Sequence, residues 1–301
     1  MDSQEIESYK KAGKIAHEMV EHLKKFVKPG MKLIDIADET DKLIGEKDAR
    51  PAFPINLSLN EVAAHYTPSF DDETIAEGLL KVDLGVEING CIADTAFSLD
   101  LTDDNRFEEM IELNNTVLNK ALSNLKPGMF IGTIGNTIQS EVENYNEENE
   151  KKFSIVKNLT GHSLDKHIIH AGFVIPNYKN ENKTELKDIA FAIEPFLTTG
   201  VGEIYDGKPG EIFMIQNERP VRDKDAREIL KFIKEEYKTK PFCKRWLVRK
   251  NFAKLDFSLR LLVREGILHN FPILVEKSKQ PVSQMEHTVL ISGDLVEVTT
   301  R

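Results

Sequence analysis

Apolar positions recur at helical spacing in two stretches of the first half. Ile6, Ile15, Met19, Leu23 and Phe26 mark one stripe; Phe107, Met110, Val117, Ala121 and Leu125 mark another. Each predicts an amphipathic helix, because residues three, four and seven apart share a helix face. Both stripes run into Lys-Pro-Gly-Met, at 28–31 and 126–129, an offset of 98 residues. The Pro-Gly pair supplies a turn. A second helical pattern follows each turn: Leu33, Ile36, Thr40 and Leu43, then Ile131, Ile134, Ile138 and Val142. From residue 82 the period changes to two. Val82, Leu84, Val86 and Ile88 alternate with Asp83, Gly85 and Glu87, and Asn89-Gly90 is a strong two-residue hairpin signal. That turn pairs Ile88 with Cys91, Gly85 with Asp94 and Asp83 with Ala96. Val82, Leu84, Val86, Ile88, Cys91, Ala93 and Phe97 then form a core face. Asp83 and Asp94 become diagonal neighbours on the other face, about 7–8 Å apart.

The correspondence between the copies extends further. His65 lies 34 residues after Met31, and His162 lies 33 after Met129. Asp94 then follows His65 by 29 residues, and Glu194 follows His162 by 32. Two copies of a helix–turn–helix–strand unit predict a pseudo-twofold α/β domain with its site on the axis. In that domain His65 matches His162 and Asp94 matches Glu194.

Composition narrows the class. The 301 residues suffice for one large domain or two ordinary ones, with the balance of a soluble globular protein. The charged start, MDSQEIESYKK, has no signal-peptide pattern, and no apolar run approaches a membrane span. Cys91 and Cys243 make no disulfide or metal framework. A cytoplasmic monomer with reduced thiols is expected. The net charge of −10 argues against DNA or general nucleic-acid binding. The charge is uneven, however: residues 222–260 hold 13 Lys/Arg against 6 Asp/Glu. A solvated helical face is the favoured explanation of that basic stretch, a separate structural unit is the alternative, and ribosome contact is a further reading.

Asp83 and Asp94 have no evident basic partner in the hairpin. Solvation on an exposed face would explain them; if they are buried, protonation, a distant basic partner or a bound cation would, since an unpaired buried carboxylate is costly. Glu194, in DIAFAIEPFL, and Glu286, in SQMEHTVLI, also fall in strand context. Four such acids contribute a charge that two divalent cations neutralise. Carboxylate-rich ligation favours Mn²⁺, Fe²⁺ or Co²⁺, although Zn²⁺ fits as well. Two such ions support metal-assisted hydrolysis. No His-Glu-x-x-His, P-loop or Gly-x-Ser-x-Gly is present.

FPINLSLNEVAAHYTP, VDLGVEINGCIADTAFS, GHSLDKHIIHAG, AIEPF and QMEHTVL together resemble, in order and spacing, the motif series of the methionine aminopeptidase family, type II. The resemblance spans residues 1–301. It implies a pita-bread fold and two metal ions held by Asp83, Asp94, His162, Glu194 and Glu286. Asp94 and Glu286 would bridge the ions, Asp83 would hold one, and His162 and Glu194 the other. It implies attack by a metal-bridged hydroxide on the first peptide bond of a nascent chain with a small second residue. Glu194 would be general base, His65 would contact the reacting amide, and His170 the carbonyl region. Phe53, Ile169, Phe196 and Phe271 would line the methionine slot; core packing is the alternative for each. His167 and His269 match no family site.

The 92-residue interval between Glu194 and Glu286 matches the type II insertion. The resemblance therefore implies a catalytic domain at 1–202 and 266–301, with a winged-helix-like helical subdomain at 203–265. Residues 203–215 depart most from the eukaryotic pattern, and no long charged extension precedes the first copy, as in archaeal forms. Two rivals share the fold: a proline-specific aminopeptidase or prolidase, and a non-catalytic binding protein. The short lead before the first copy disfavours the former, and the five retained ligands disfavour the latter.

Overall fold

The computed structural model describes residues Met1–Arg301. The first copy begins with α1 (Ser3–Phe26) and α2 (Leu33–Glu46). A capping box starts α1: Asp2 Oδ1 accepts the Gln4 and Glu5 amides at 2.9 and 2.8 Å, and Glu5 accepts the Asp2 amide. The predicted stripe Ile15, Met19 and Leu23 is buried, with Ile6 and Phe26 half-buried at the ends. Strands β1 (Arg50–Leu59), β2 (Val62–Ala64), β3 (Leu79–Ile88) and β4 (Cys91–Asp100) follow. The β3–β4 register is the predicted one: Ile88 faces Cys91, Gly85 faces Asp94, and Asp83 faces Ala96. Asn89 and Gly90 both take positive φ, as the tight turn requires. Val82, Leu84, Val86, Ile88, Ala93 and Phe97 pack with α1 and α2, while Cys91 sits beside this cluster with Tyr9.

The second copy repeats the plan with α3 (Glu108–Ser123), α4 (Ile131–Glu148), β5 (Ser154–Ile155), β6 (Thr160–Leu164), β7 (Val174–Pro176), β8 (Ile189–Ile193) and β9 (Phe196–Thr198). The two Lys-Pro-Gly-Met turns are held alike. Gly30 and Leu33 donate to the carbonyls of Ala76 and Thr74, and Gly128 and Ile131 to those of Leu186 and Thr184. Gly30 and Gly128 have φ of +83° and +75°, where a side chain would be strained.

After β9 come β10 (Ile204–Ile215), α5 (Lys224–Glu236), β11 (Phe242–Cys243), α6 (Lys244–Val248), α7 (Leu255–Arg264) and β12 (Leu268–Glu276). Phe213, Ile229, Ile233, Phe242, Leu247 and Leu262 give this segment a core of its own. It is joined to the first copy through β12, which pairs with both β10 and β2. The chain ends with β13 (Val282–Gln284), β14 (His287–Ser292) and β15 (Leu295–Val298).

One sheet has the order β1-β3-β4 and another the order β15-β14-β8-β6-β7. They meet where β4 runs beside the start of β14. Ala96 and Glu286 exchange backbone hydrogen bonds there, at 3.3 and 2.9 Å. Side chains continue the seam. Thr288 Oγ1 accepts the Asp94 amide and donates to its carbonyl, both at 2.8 Å. Thr95 Oγ1 donates to the Glu286 carbonyl, and Ser98 Oγ to the Gln284 carbonyl.

This arrangement corrects the predicted matching. Both β3 and β8 are central strands following the same hydrogen-bonded turn, so Asp83 and Glu194 are counterparts to within one residue. Asp94 and Glu286, on the seam strands, are the other pair. The bond from the Leu57 amide to the Tyr66 carbonyl matches that from Ser163 to Phe173. His162 therefore corresponds to Asn56, and His65 to the loop carrying His170. Sequence separation misled because the connecting loops differ in length.

Two residues of the basic stretch depart from the expected solvated face. Arg245 is fully buried, with its guanidinium 2.9 Å from Asp41 and 3.5 Å from Asp38. Arg249 pairs with Asp38, Lys240 with Glu87, Lys244 with Asp256 and Lys254 with Asp225. Lys240 and Arg245 are thus buried in ion pairs with the first copy, while most of the other basic residues, Lys224, Lys231, Lys250 and Arg260 among them, lie on a solvated face as expected.

Candidate metal centre and pocket

All five expected ligands reach the base of one cavity of about 400 Å³. Asp83 comes from β3 and Asp94 from β4, so the hairpin register delivers both. His162 lies on β6, Glu194 just beyond β8, and Glu286 between β13 and β14. Single donor atoms of Asp94, His162 and Glu286 lie within 4.8 Å of one another. His162 Nε2 is 3.6 Å from Asp94 and 3.5 Å from Glu194. Asn177 fixes the backbone at Glu194 by donating to its carbonyl at 2.9 Å.

Burial dominates the electrostatics of the cluster. Burial raises Asp83 to about 7. Burial pushes Asp94 well above the carboxylate range, helped by Asp83. Burial likewise raises Glu194 and Glu286, and in both cases Asp94 adds to the effect. His162 is lowered to about 3 by burial and then by His170, leaving it a neutral donor. Asp83 Oδ1, Asp94 Oδ1 and Glu286 Oε1 are buried without a hydrogen-bond partner. Buried polar atoms are ordinarily paired, and oxygen donors with one imidazole suit a hard or borderline divalent ion. The residues therefore fit a divalent-metal site.

The remaining expected residues line the same cavity: Phe53, His65, Ile169, His170, Phe196 and Phe271. Gly85 permits the position of Phe53, since a Cβ there would lie 2.3 Å from the phenyl ring. His65 takes φ of +65°, sterically costly for a side chain. Asn56 Oδ1 accepts its amide at 2.7 Å, and Nδ1 lies 3.2 Å from the Pro272 carbonyl. Burial lowers the His65 imidazole to about 4. His170 is exposed at the rim, its ring edge-on to His162 at 4.4 Å. His167 and His269 are outside the cavity lining.

Four lining or supporting residues carry little or no signal in the sequence. Gln284 approaches Asp83 and Glu286 at 3.4 and 3.3 Å through Nε2. Its place two residues before Glu286 was the available signal. Asn56, Ile212 and Pro241 also line the cavity. Asn56 could have been found by alternation in FPINLSL; Ile212 and Pro241 carried no local signal. Lys81, two residues before Asp83, is buried, but its ammonium donates to the Asn60 carbonyl at 2.7 Å and makes no ion pair.

Residues 7–225 match the model of metallopeptidase family M24. A methionine aminopeptidase of Pyrococcus horikoshii is 40% identical, with 98% of this chain and 99% of that protein covered. One from Methanocaldococcus jannaschii is 37% identical, with 99% and 100% covered. Among solved structures, a thermophilic Arx1 gives a TM-score of 0.80 at 18% identity, covering 99% of this chain and 91% of that one, a likeness of fold alone. Sequence match, pseudo-twofold sheet and carboxylate-rich centre converge: the chain has the pita-bread fold and belongs to metallopeptidase family M24, among its methionine aminopeptidases.

Proposed function

We infer that this protein removes the amino-terminal methionine from polypeptides with a small second residue, by metal-dependent hydrolysis. The observation that carries the reading is the convergence of four carboxylates and one imidazole at the base of an apolar-walled cavity. Asp83, Asp94, His162, Glu194 and Glu286 are the residues that would hold two divalent ions in this reading. When bound, divalent ions supply Lewis acidity toward the scissile carbonyl and acidify water. Glu194 accepts a proton from water and passes it to the departing amine. His65 holds the leaving amide, and His170, at the rim, the carbonyl side. Phe53, Ile169, Phe196 and Phe271 enclose the methionine side chain and exclude water.

The type II subclass rests on the long interval between Glu194 and Glu286. We assign 203–265 as its inserted subdomain, supported by the separate apolar core there. Cobalt, manganese, iron or zinc fits the donor set. The reading extends to a monomer acting on nascent chains in the cytoplasm, where such chains are made. Ribosome contact has weaker support, because Arg245 and Arg249 are engaged with Asp38 and Asp41. The relatives, matched over nearly their whole lengths, favour methionine removal over proline-specific cleavage. Purified metal-loaded protein tests this: rapid release of methionine from Met-Ala-Ser with inert Xaa-Pro dipeptides is expected, and the reverse preference refutes it.

A further inference from the structure

The inserted segment reaches the cavity at Ile212 on β10 and again at a short loop, Lys238–Pro241. Pro241 lines the cavity itself. The three residues before it grip three different walls. Lys240 is buried, and its ammonium pairs with the buried carboxylate of Glu87 on β3, four residues beyond Asp83. The same ammonium lies 3.5 Å from the Pro51 carbonyl on β1, two residues before Phe53. Thr239 Oγ1 donates to the His167 carbonyl at 2.5 Å. Lys238 Nζ lies 2.8 Å from His167 Nε2. His167 stands two residues before Ile169 and three before His170. The loop is anchored at its root: Tyr237 stacks on Phe242 at 5.2 Å and 10°, so both ends are tied to the insertion's own core.

We propose that Lys238–Pro241 is a clamp that sets the shape of the methionine slot, with Lys240 and Thr239 as positioning residues. The proposal rests on the aminopeptidase reading and gives the insertion a part in choosing the first residue. Through one loop, the walls bearing Phe53, Ile169 and Pro241 share a common anchor. A buried ion pair makes a stiff anchor, because its fixed geometry specifies position and losing one partner strands a charge. Thr239 ties down the His167–His170 loop, which has no strand of its own between β6 and β7.

The test compares Lys240→Met, Lys240→Arg and Thr239→Val with the unaltered, metal-loaded protein on Met-Ala-Ser and Leu-Ala-Ser. KM for Met-Ala-Ser should rise roughly tenfold in Lys240→Met with kcat less affected, because a small displacement of a binding wall weakens positioning. The Met-to-Leu preference in kcat/KM should fall by about threefold or more in Lys240→Met and Thr239→Val. Lys240→Arg should restore most of it. Thr239→Val leaves the buried ion pair in place, so it reports even if Lys240→Met does not fold. A purely structural role would lower activity on both peptides in proportion. Calorimetric binding of free methionine carries the proposal independently of turnover, so its failure is distinguishable from failure of the aminopeptidase reading. An unchanged Met-to-Leu ratio in Thr239→Val, or an unchanged methionine affinity, overturns it.

Discussion

At the scale of single residues, Asp94 and Glu286 meet across the seam and each has a buried oxygen without a partner. Asp94→Asn or Glu286→Gln should therefore lose bound metal and turnover together, with activity down by at least about a thousandfold. Metal analysis beside initial rates checks this, and near-normal activity with two bound ions contradicts it. Gly85 is a second sensitive point. Gly85→Ala places a methyl against the Phe53 ring. Overpacking of this kind costs about 1–3 kcal/mol. A lowered unfolding midpoint with a raised KM is expected; unchanged values of both would show that Phe53 has room to move. Glu194 was legible because a carboxylate inside an apolar run violates the pattern, whereas Asp83 and Asp94 obey the alternation and stood out only by lacking a basic partner and by their motif. Gln284 was not legible, because an amide in a strand violates nothing. Lys81 lies in the same alternation, yet its partner, the Asn60 carbonyl, is set by a turn no pattern announces.

Among the elements, the seam between β4 and β14 holds the two copies in register. Thr288 exchanges hydrogen bonds with both backbone groups of Asp94, from a buried position. Thr288→Val keeps the shape and leaves those groups unpaired, which costs about 1–3 kcal/mol for each buried group. Chemical denaturation should show that loss, and metal should bind more weakly because Asp94 is less firmly held. Full stability with unchanged metal affinity would place the seam's strength elsewhere. The hairpin register was legible to the residue, since Asn89-Gly90 fixes it and a one-residue slip would expose the core face. The Lys-Pro-Gly-Met repeat likewise revealed both helix pairs. The counterparts among site residues were not legible. Matching by distance along the chain aligned Asp94 with Glu194, whereas strand order pairs Asp83 with Glu194. That order depends on which strand lies at the sheet centre, a long-range property.

Across the whole molecule, charge binds the segment between β10 and β12 to the first copy. Arg245 is buried between Asp38 and Asp41, and Trp246 Nε1 donates to Asp41 at 2.7 Å. Arg245→Glu should cost about 3–5 kcal/mol, since it buries repelling charges. The expected result is a lower unfolding midpoint with impaired peptide turnover. Intact stability and turnover with altered ribosome co-sedimentation would instead favour a surface role for the basic stretch. Sequence counting saw the surplus of positive charge but not its partners, because Asp38 and Asp41 lie about 200 residues away in the chain. The central claim is that this carboxylate centre hydrolyses the bond after an amino-terminal methionine only when metal fills it. The most direct measurement is the rate of methionine release from Met-Ala-Ser as Mn²⁺ or Co²⁺ is returned to metal-stripped protein. The account predicts negligible release without metal, and a rise that saturates near stoichiometric metal. Full activity in the stripped protein, or none at saturating metal for either ion, would contradict it.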